Sequence, residues 1–309
     1  MMGAPSPDDE NNLRPLMFSI AYRMTGSVAE AEDLVQEGFF RMGRARQSGV
    51  VVESPKAYLT TTVTRLAINL LRSARVRRES YVGTWLPEPV VADLHENPEQ
   101  MAELSDSLSM AFLLLLESLS PVERAVFLLR EVFDYPYEDI AQVVDKSEAN
   151  CRQIFARARQ HIGAQPARYE ASPEQSEALV RSFLAAAHDG DLGQLVDLLA
   201  ADVAFYGDGG GKATSTPRPI FGRDHVATLI LEIFERARRL EIKLEPVLVN
   251  GGPGIITRDT QGKVVSVLSL EVLDGVVQSV RGVVNPDKLQ HLGVVSDLLR
   301  IHRGHDLQL

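Results

Sequence analysis

The chain has one cysteine in 309 residues, one tryptophan and few aromatics overall. A lone Cys151 cannot close an internal disulfide, and no His or Cys stands near it at metal-ligand spacing, so neither a secreted disulfide framework nor a structural zinc is expected. No apolar run approaches the length of a membrane span, and Met1 to Asn12 is polar and acidic where a signal peptide needs a basic start and an apolar core. These absences predict a soluble protein of a reducing cytoplasm, without metal or cofactor and away from the membrane. The length allows two or three domains.

A net basic charge is also lacking. The formal charge is -10, which argues against nucleic acid, because phosphate binding needs Lys and Arg to displace counterions. The average conceals a pattern. Arg41 to Arg78 holds nine basic residues against Glu53 alone; Glu79 to Asp145 holds fourteen acidic residues against Arg124 and Arg130; Lys146, Arg152, Arg157, Arg159 and Arg168 follow. Two basic islands flank an acidic one, read either as solvated helix faces or as two separate DNA-binding surfaces.

In the first module, Asn11 to Glu79, Leu16, Ile20 and Met24 mark one amphipathic helix, ending near Gly26. A second follows Ser27, with Ala31, Leu34, Gly38 and Met42 as its buried stripe. Asp33, Gln36, Glu37 and Phe40 share another face, an acidic patch with one aromatic. That face is either wider core or a docking surface for a basic protein helix. Ser54 caps a third helix with Pro55 in its first turn. Leu59, Val63, Leu66, Ala67 and Leu70 are its expected core stripe. Tyr58, Thr61, Thr62, Arg65, Asn69, Arg72, Arg75, Arg77 and Arg78 offer cations for phosphates, polar groups for base edges and an aromatic for stacking.

The run Ala29-Glu-Ala-Glu-Asp-Leu-Val-Gln-Glu-Gly-Phe-Phe-Arg41, then Pro55-Lys-Ala-Tyr-Leu59 and the basic Arg72 to Glu79, resembles domain 2 of extracytoplasmic-function (ECF) sigma factors. The resemblance implies that Asp33, Gln36, Glu37 and Phe40 dock on the β′ clamp helices of core RNA polymerase, and that the third helix opens and reads the −10 element. Arg65 stands where many members carry Asn, and Asn69 where they carry Asp.

The second module reads as a helix over Leu108 to Leu119, a restart at Ser120-Pro121-Val122-Glu123, a short helix Tyr137 to Val144 with Ile140, Ala141 and Val144 inward, and a helix capped by Ser147 and running to about Ile162. That is helix-turn-helix spacing. Cys151, Ile154, Phe155 and Ala158 face its core. Ala149, Asn150 and Gln153 lie where base edges are met, and Arg152 and Arg157 serve as phosphate anchors. Ser120-Pro-Val-Glu-Arg-Ala-Val-Phe-Leu-Leu-Arg130, Tyr137-Glu-Asp-Ile-Ala141 and Arg157-Ala-Arg159 resemble domain 4 of the same family. That implies binding of the −35 element of promoter DNA and of the polymerase β flap.

Between the modules, Tyr81-Val-Gly-Thr-Trp-Leu-Pro-Glu-Pro89 should be extended. Tyr81, Trp85 and Leu86, with Pro87, need an apolar surface, on a partner domain or on the first module. After Ala171 the pattern predicts helices over Pro173 to His188, Leu192 to Leu199 and His225 to Arg238. Strands are expected over Val203 to Tyr206, Leu240 to Val249, Gly254 to Arg258, Val264 to Leu273 and Val276 to Val284, with hairpin turns at Gln261-Gly262 and Asp274-Gly275. This is an α+β domain with an antiparallel sheet. It resembles the SnoaL-like (NTF2-like) cone shared with polyketide cyclases and ketosteroid isomerases. Tyr81 to Pro89, Asp208-Gly209-Gly210-Gly211-Lys212 and Asn285-Pro286-Asp287-Lys288-Leu289 resemble the SigJ-type sigma subfamily that carries this domain, which implies regulation in cis through those segments; the sequence requires no separate anti-sigma factor.

The expected organisation is therefore multidomain: two all-α domains at 1–79 and 105–168, a linker at 80–104, the α+β cone at 169–290 and a tail at 291–309. An alternative is a helix-turn-helix regulator whose C-terminal domain is a small-molecule sensor or an isomerase-like or cyclase-like enzyme. Asp202, Tyr206, Asp208 and His225 would supply its acid-base groups. The glycine run is not a P-loop, since Tyr206 and Ala213 occupy positions that need Gly and Ser or Thr; it reads as a flexible loop.

Overall fold

The computed structural model describes residues 12–79, 81–92, 108–163 and 173–299, with the side chains of 74–79 and 173–177 outside that description. The chain divides into two compact units, residues 1–79 with 113–166, and residues 80–112 with 167–309.

The first unit is helical. Helix α1 (Arg14–Thr25) stops where Gly26 takes a left-handed φ of 69° and donates its N–H to the Tyr22 carbonyl. Helix α2 (Val28–Gln47) starts where the Ser27 side chain accepts from the Glu30 N–H, and α3 (Pro55–Glu79) where Ser54 does the same for Ala57. After α4 (Met110–Leu116) comes α5 (Pro121–Phe127), opened by a capping box between Ser120 and Glu123. The hydrogen bond from Ser120 holds the Glu123 carboxyl below its ordinary range. A π-turn at Leu128–Val132 leads to α6 (Tyr137–Val144), left-handed Asp145, and α7 (Glu148–Ile162) capped by Ser147.

Three expectations need correction. The apolar stretch from Leu108 is helical for Met110–Leu116 and turns before Leu119. On α6 it is Val143, not Ala141, that is buried beside Ile140 and Val144. On α3, Leu66 and Leu70 are half-buried, while Thr60, Thr64, Ile68 and Leu71 join Leu59, Val63 and Ala67 inside. The reason for the last is packing on two sides: α3 meets α1 and α2, and also α5 and α6. A periodicity argument assumes one buried stripe.

Several polar contacts tie these helices together. Arg124 of α5 is 3% exposed, donates to the Met24 carbonyl at the end of α1 (2.6 Å) and pairs with Glu117 (2.8 Å). Burial pushes its guanidinium down to about 10. The Arg23 guanidinium lies over the Phe133 ring, and the Thr60 and Tyr135 hydroxyls are 2.9 Å apart.

The second unit is α+β. Helices α8 (Pro173–Asp189), α9 (Leu192–Leu198) and α10 (Arg223–Arg239) cover a seven-stranded sheet in the order β1-β4-β5-β6-β7-β2-β3. The strands are β1 (Val91–Ala92), β2 (Leu199–Asp208), β3 (Ile220–Phe221), β4 (Lys243–Val249), β5 (Gly252–Arg258), β6 (Val264–Leu273) and β7 (Val276–Val283). Phe183, Leu195, Val203, Phe205, Ile230, Phe234 and Leu268 belong to its core. This is the SnoaL-like, NTF2-like cone, but the sheet is mixed: β2 and β7 run parallel while the other pairs are antiparallel. The β4-to-β7 meander returns the last strand beside the first long one of the domain. Hairpin patterns identify strands without fixing that closing pair. Strand β1 comes from the segment between the helical modules and pairs with the β4 edge, Val91 opposite Val249.

Replacing Arg124 by Met, which removes its ion pair with Glu117 and its hydrogen bond to the Met24 carbonyl, is expected to destabilise the first unit by about 3 kcal/mol. The double variant Arg124→Met, Glu117→Leu should recover part of that loss. Urea denaturation of the full chain, followed by far-UV circular dichroism, measures both.

Candidate functional site

Helix α2 presents Asp33, Gln36 and Phe40 to solvent and leaves Glu37 half-exposed, opposite buried Ala31, Leu34, Val35, Gly38 and Met42. Phe40 is 58% exposed, so the wider-core reading of this face fails. Its ring carries the Arg44 guanidinium 5.8 Å from its centroid, and Glu37 pairs with Arg41 across one turn (2.6 Å). Gly38 is fixed by packing, because a Cβ there would come within 2.9 Å of Val63 on α3.

On α3, Asn69 and Arg72 are exposed and Tyr58, Thr61 and Thr62 half-buried. The Thr62 hydroxyl donates to the Tyr58 carbonyl (2.8 Å). The side chains of Arg75, Arg77 and Arg78 lie outside the described residues. Arg65 is engaged within the chain: its Nε donates to the Val143 carbonyl (2.9 Å) and Nη2 to that of Gln142 (2.6 Å). It thereby closes the C-terminal turn of α6, where free carbonyls attract a cation.

The last helix of the helix-turn-helix, α7, buries Cys151, Ile154, Ala158 and Ile162. Burial pushes the Cys151 thiol up, which suits a packing role over a reactive one. Phe155 is half-buried, stacked on Phe127 and edge-on to Tyr137. At the N-terminal half Ala149 and Gln153 are exposed and Asn150 half-exposed, and Arg157 is exposed further along the helix. Arg152 pairs with Glu148 (2.8 Å) and lies 5.0 Å from the Tyr137 ring centroid.

The most elaborate polar cluster lies in the second unit. Asp208, at the end of β2, is fully buried. One carboxylate oxygen accepts from the Tyr81 hydroxyl; the other accepts from the Leu86 N–H (2.8 Å) and pairs with Lys288 Nζ (2.6 Å). Lys288 also donates to the Leu86 carbonyl, and its ammonium lies 4.9 and 4.3 Å from the Tyr81 and Trp85 ring centroids. Asn285 Nδ2 donates to the Tyr81 hydroxyl (2.8 Å). Burial, then the Asp208 charge, drives the Tyr81 phenol far above its ordinary range. Leu86 is fully buried, Pro87 and Leu289 are buried, and Trp85 is half-buried.

The glycine run belongs to this cluster. Gly210 and Gly211 hold left-handed φ of 57° and 68°, and a Cβ on Gly210 would stand 2.2 Å from Asn285 Nδ2. The Lys212 and Ala213 N–H groups both bond to the Gly209 carbonyl. The expected flexible loop is thus a tight turn, closed outside by a Lys212–Asp287 ion pair. Pro286, with Asp287 and Lys288, forms a 3₁₀ turn capped by Asn285. Downstream, His291 Nε2 meets the Pro89 carbonyl (2.8 Å), and Asn250, left-handed at φ 53°, exchanges hydrogen bonds with Val90. The spacing of charged motifs contains no sign of His291 or Asn250; Asn250-Gly251 as the β4–β5 turn was the available signal.

Comparison with known proteins identifies the family. Residues 11–77 match the Sigma-70 region 2 family and residues 109–162 the Sigma-70 region 4 family. The chain is 39% identical over 285 residues to the ECF RNA polymerase sigma factor SigJ of Mycobacterium tuberculosis, covering 89% of this chain and 90% of that one. The chain belongs to the ECF sigma factor family. It is 28% identical to SigG of the same organism over 292 residues, 87% of this chain and 77% of that one. The crystal structure of M. tuberculosis SigJ superposes with a TM-score of 0.73 at 34% identity, over 92% of this chain and 98% of that one. As an ECF sigma factor, the protein directs promoter-specific initiation by RNA polymerase. Among the described residues no helix is long and apolar enough to cross a membrane, and no group of three or more His, Cys, Asp or Glu is placed to hold a metal ion.

Asp208→Asn leaves Lys288 buried beside a neutral amide, a change of about 3–5 kcal/mol for a buried pair. Amide hydrogen exchange at Leu86 and Val90 should then accelerate while Phe205, inside β2, stays protected. Gly210→Ala should give the same pattern by steric exclusion.

Proposed function

We propose that this ECF sigma factor is regulated in cis by its C-terminal domain, which captures the Tyr81 to Pro89 segment through Asp208, Asn285 and Lys288. The observation that carries the reading is the fully buried Asp208, with both carboxylate oxygens committed to that segment or to the lysine that also holds it. A domain that seizes the tether between regions 2 and 4 controls which separations of those regions are accessible. Contacts made in one arrangement and lost in another bias the equilibrium between them.

In this reading residues 1–79 and 105–168 are the promoter-binding domains, 80–104 the linker, and 169–290 the controlling domain. Asp33, Gln36, Glu37 and Phe40 dock on the β′ clamp helices, supported by the solvent-facing aromatic amid carboxylates. Tyr58, Thr61, Thr62, Asn69, Arg72 and the basic end of α3 engage the −10 element. Ala149, Asn150 and Gln153 read the −35 element, with Arg152 and Arg157 on phosphates, while region 4 also meets the β flap. Arg65 joins the −10 surface after leaving the carbonyls of α6. The protein works in the cytoplasm, where polymerase is, and a separate anti-sigma factor is not needed for control.

The C-terminal domain is non-catalytic in this account. Asp202 and His225 are exposed, His225 near the Phe221 carbonyl, and neither they nor Tyr206 line the apolar cavity between α10 and the sheet. Asp208 is occupied by the linker segment.

Run-off transcription with purified core polymerase tests the proposal. Glu37→Lys with Phe40→Ala should cut core binding at least tenfold, as for loss of an interface anchor. Asp208→Asn should retain core binding but change the transcript yield. Unchanged yield from Asp208→Asn and from a chain ending after Arg168 would remove the cis-regulatory claim.

A further inference from the structure

The β4–β5 connection is the two-residue turn Asn250-Gly251, both residues left-handed, with φ of 53° and 76°. Asn-Gly is a sequence that such hairpin turns prefer, and the preference concerns the backbone alone. A glycine at 250 would serve the turn as well. The turn therefore accounts for the conformation of Asn250 but not for what its side chain does.

That side chain is out of water, the residue being 1% exposed. Its Oδ1 accepts from the Val90 N–H (3.1 Å) and its Nδ2 donates to the Leu108 carbonyl (3.0 Å). The Asn250 N–H adds a bond to the Val90 carbonyl (2.8 Å). Val90 leads into β1, whose Val91 and Ala92 pair with Val249 and Leu248. Leu108 directly precedes region 4 and stands just before α4, where the Ser109 hydroxyl accepts from the Phe112 N–H (3.1 Å). One amide thus joins the end of the captured linker segment to the approach to region 4, and Val90, Leu108 and Asn250 belong to the same compact unit.

Fifteen residues, 93–107, separate Ala92 from Leu108, and a stretch of that length can extend over roughly 50 Å. While Val90 and Leu108 are held on one side chain, none of that length adds to the reach between regions 2 and 4. One base pair moves a promoter element by about 3.4 Å along the duplex, so the withheld length corresponds to many base pairs.

We propose that Asn250 is a specificity-determining residue of this sigma factor: by holding Val90 and Leu108 together, it sets how far apart the −10 and −35 elements of a usable promoter can be. This deepens the cis-regulatory reading and rests on it, since the captured tether must stay captured at the promoter. A longer spacing is reached by breaking the Leu108 bond, and the loss of that bond counts against every promoter whose elements lie too far apart.

The test is run-off transcription with the full chain and core polymerase, on promoters identical except for the number of base pairs between the two elements. Yield at each spacing is taken relative to the same chain's best spacing. Asn250→Gly keeps the turn and removes both side-chain bonds; on spacings longer than the best, its relative yield should exceed the parent's by about fivefold, the worth of one hydrogen bond. Asn250→Asp keeps the acceptor for Val90 and sets a carboxylate oxygen against the Leu108 carbonyl, so it should broaden the profile likewise. A Gly-Ser insert of about ten residues after Glu99 should leave the parent's profile as it is, because both ends of the stretch are held at Asn250, and should widen that of Asn250→Gly further. Trp85 emission and amide exchange at Phe205 check that the Asp208 cluster and the domain core are undisturbed; if both variants disturb them, the insert in the parent alone decides. An Asn250→Gly profile identical to the parent's, or a parent profile that widens with the insert, overturns the assignment. A chain ending after Arg168 separates this from the reading beneath it. If its profile is broad and that of Asn250→Gly is not, the role of Asn250 alone falls; if the truncation changes neither yield nor profile, the cis-regulatory reading falls with it.

Discussion

The second unit depends on one buried charge pair. Asp208 and Lys288 are both out of water, and taking two charges from water costs several kcal/mol per ion unless every remaining donor and acceptor is satisfied. Here the satisfying groups come from elsewhere in the sequence: the Tyr81 hydroxyl, the Leu86 N–H and the Leu86 carbonyl. The pair is therefore incomplete without residues 81–86. Removing that segment would leave a carboxylate and an ammonium underused in a low-dielectric setting, which makes the bound arrangement specific as well as favourable. An apolar clasp of equal area would hold the segment in several registers. The bifurcated use of Asp208 permits one.

That dependence explains the glycines and the edge strand. Gly210 must lie under Asn285 and the Tyr81 hydroxyl with no Cβ, and its positive φ turns the chain quickly enough to bring Lys212 to Asp287. Beyond Leu86 the segment continues as backbone pairing, through Asn250 and Val90 to β1 on the β4 edge. A polar anchor sets the register, and the ladder extends it. The strand so added also covers a sheet edge that would otherwise present unpaired amides.

Much of this was legible in the residues. Caps at Ser27, Ser54, Ser120 and Ser147 are local chemistry, a side-chain oxygen meeting an N–H three residues on, and they locate helix starts without reference to tertiary structure. Spacing placed Asp33, Gln36, Glu37 and Phe40 on one face of α2 and left open whether that face was core or surface, which the exposure of Phe40 decides. What escaped was whatever depends on a second packing partner. α3 is buried on two sides, so its single expected stripe was short of Thr60, Thr64, Ile68 and Leu71. Arg65 is exposed, as its spacing suggested, yet its guanidinium closes α6, because a helix C-terminus competes with phosphate for the same charge. The parallel β2–β7 pair was invisible to hairpin patterns, which report only neighbours in sequence. The need of Tyr81, Trp85 and Leu86 for an apolar surface was readable; the atoms that meet them were not, since nothing in the spacing of Asp208 and Lys288 says they converge.

The position of Arg65 bears on how region 2 becomes available to DNA. Its guanidinium satisfies two carbonyls at the end of α6, each of which would otherwise bond to water. An exchange of those carbonyls for phosphate or base acceptors is close to balanced for the arginine, because both partners offer charge-assisted or dipole-assisted hydrogen bonds. The carbonyls of α6 regain water on release. Such an exchange demands little free energy, in contrast with Arg124, which is itself buried and whose release would break both its ion pair with Glu117 and its hydrogen bond to the Met24 carbonyl. Within the first unit, then, the hydrogen bonds of Arg65 are the ones that exchange at low cost, and those of Arg124 are the ones that resist.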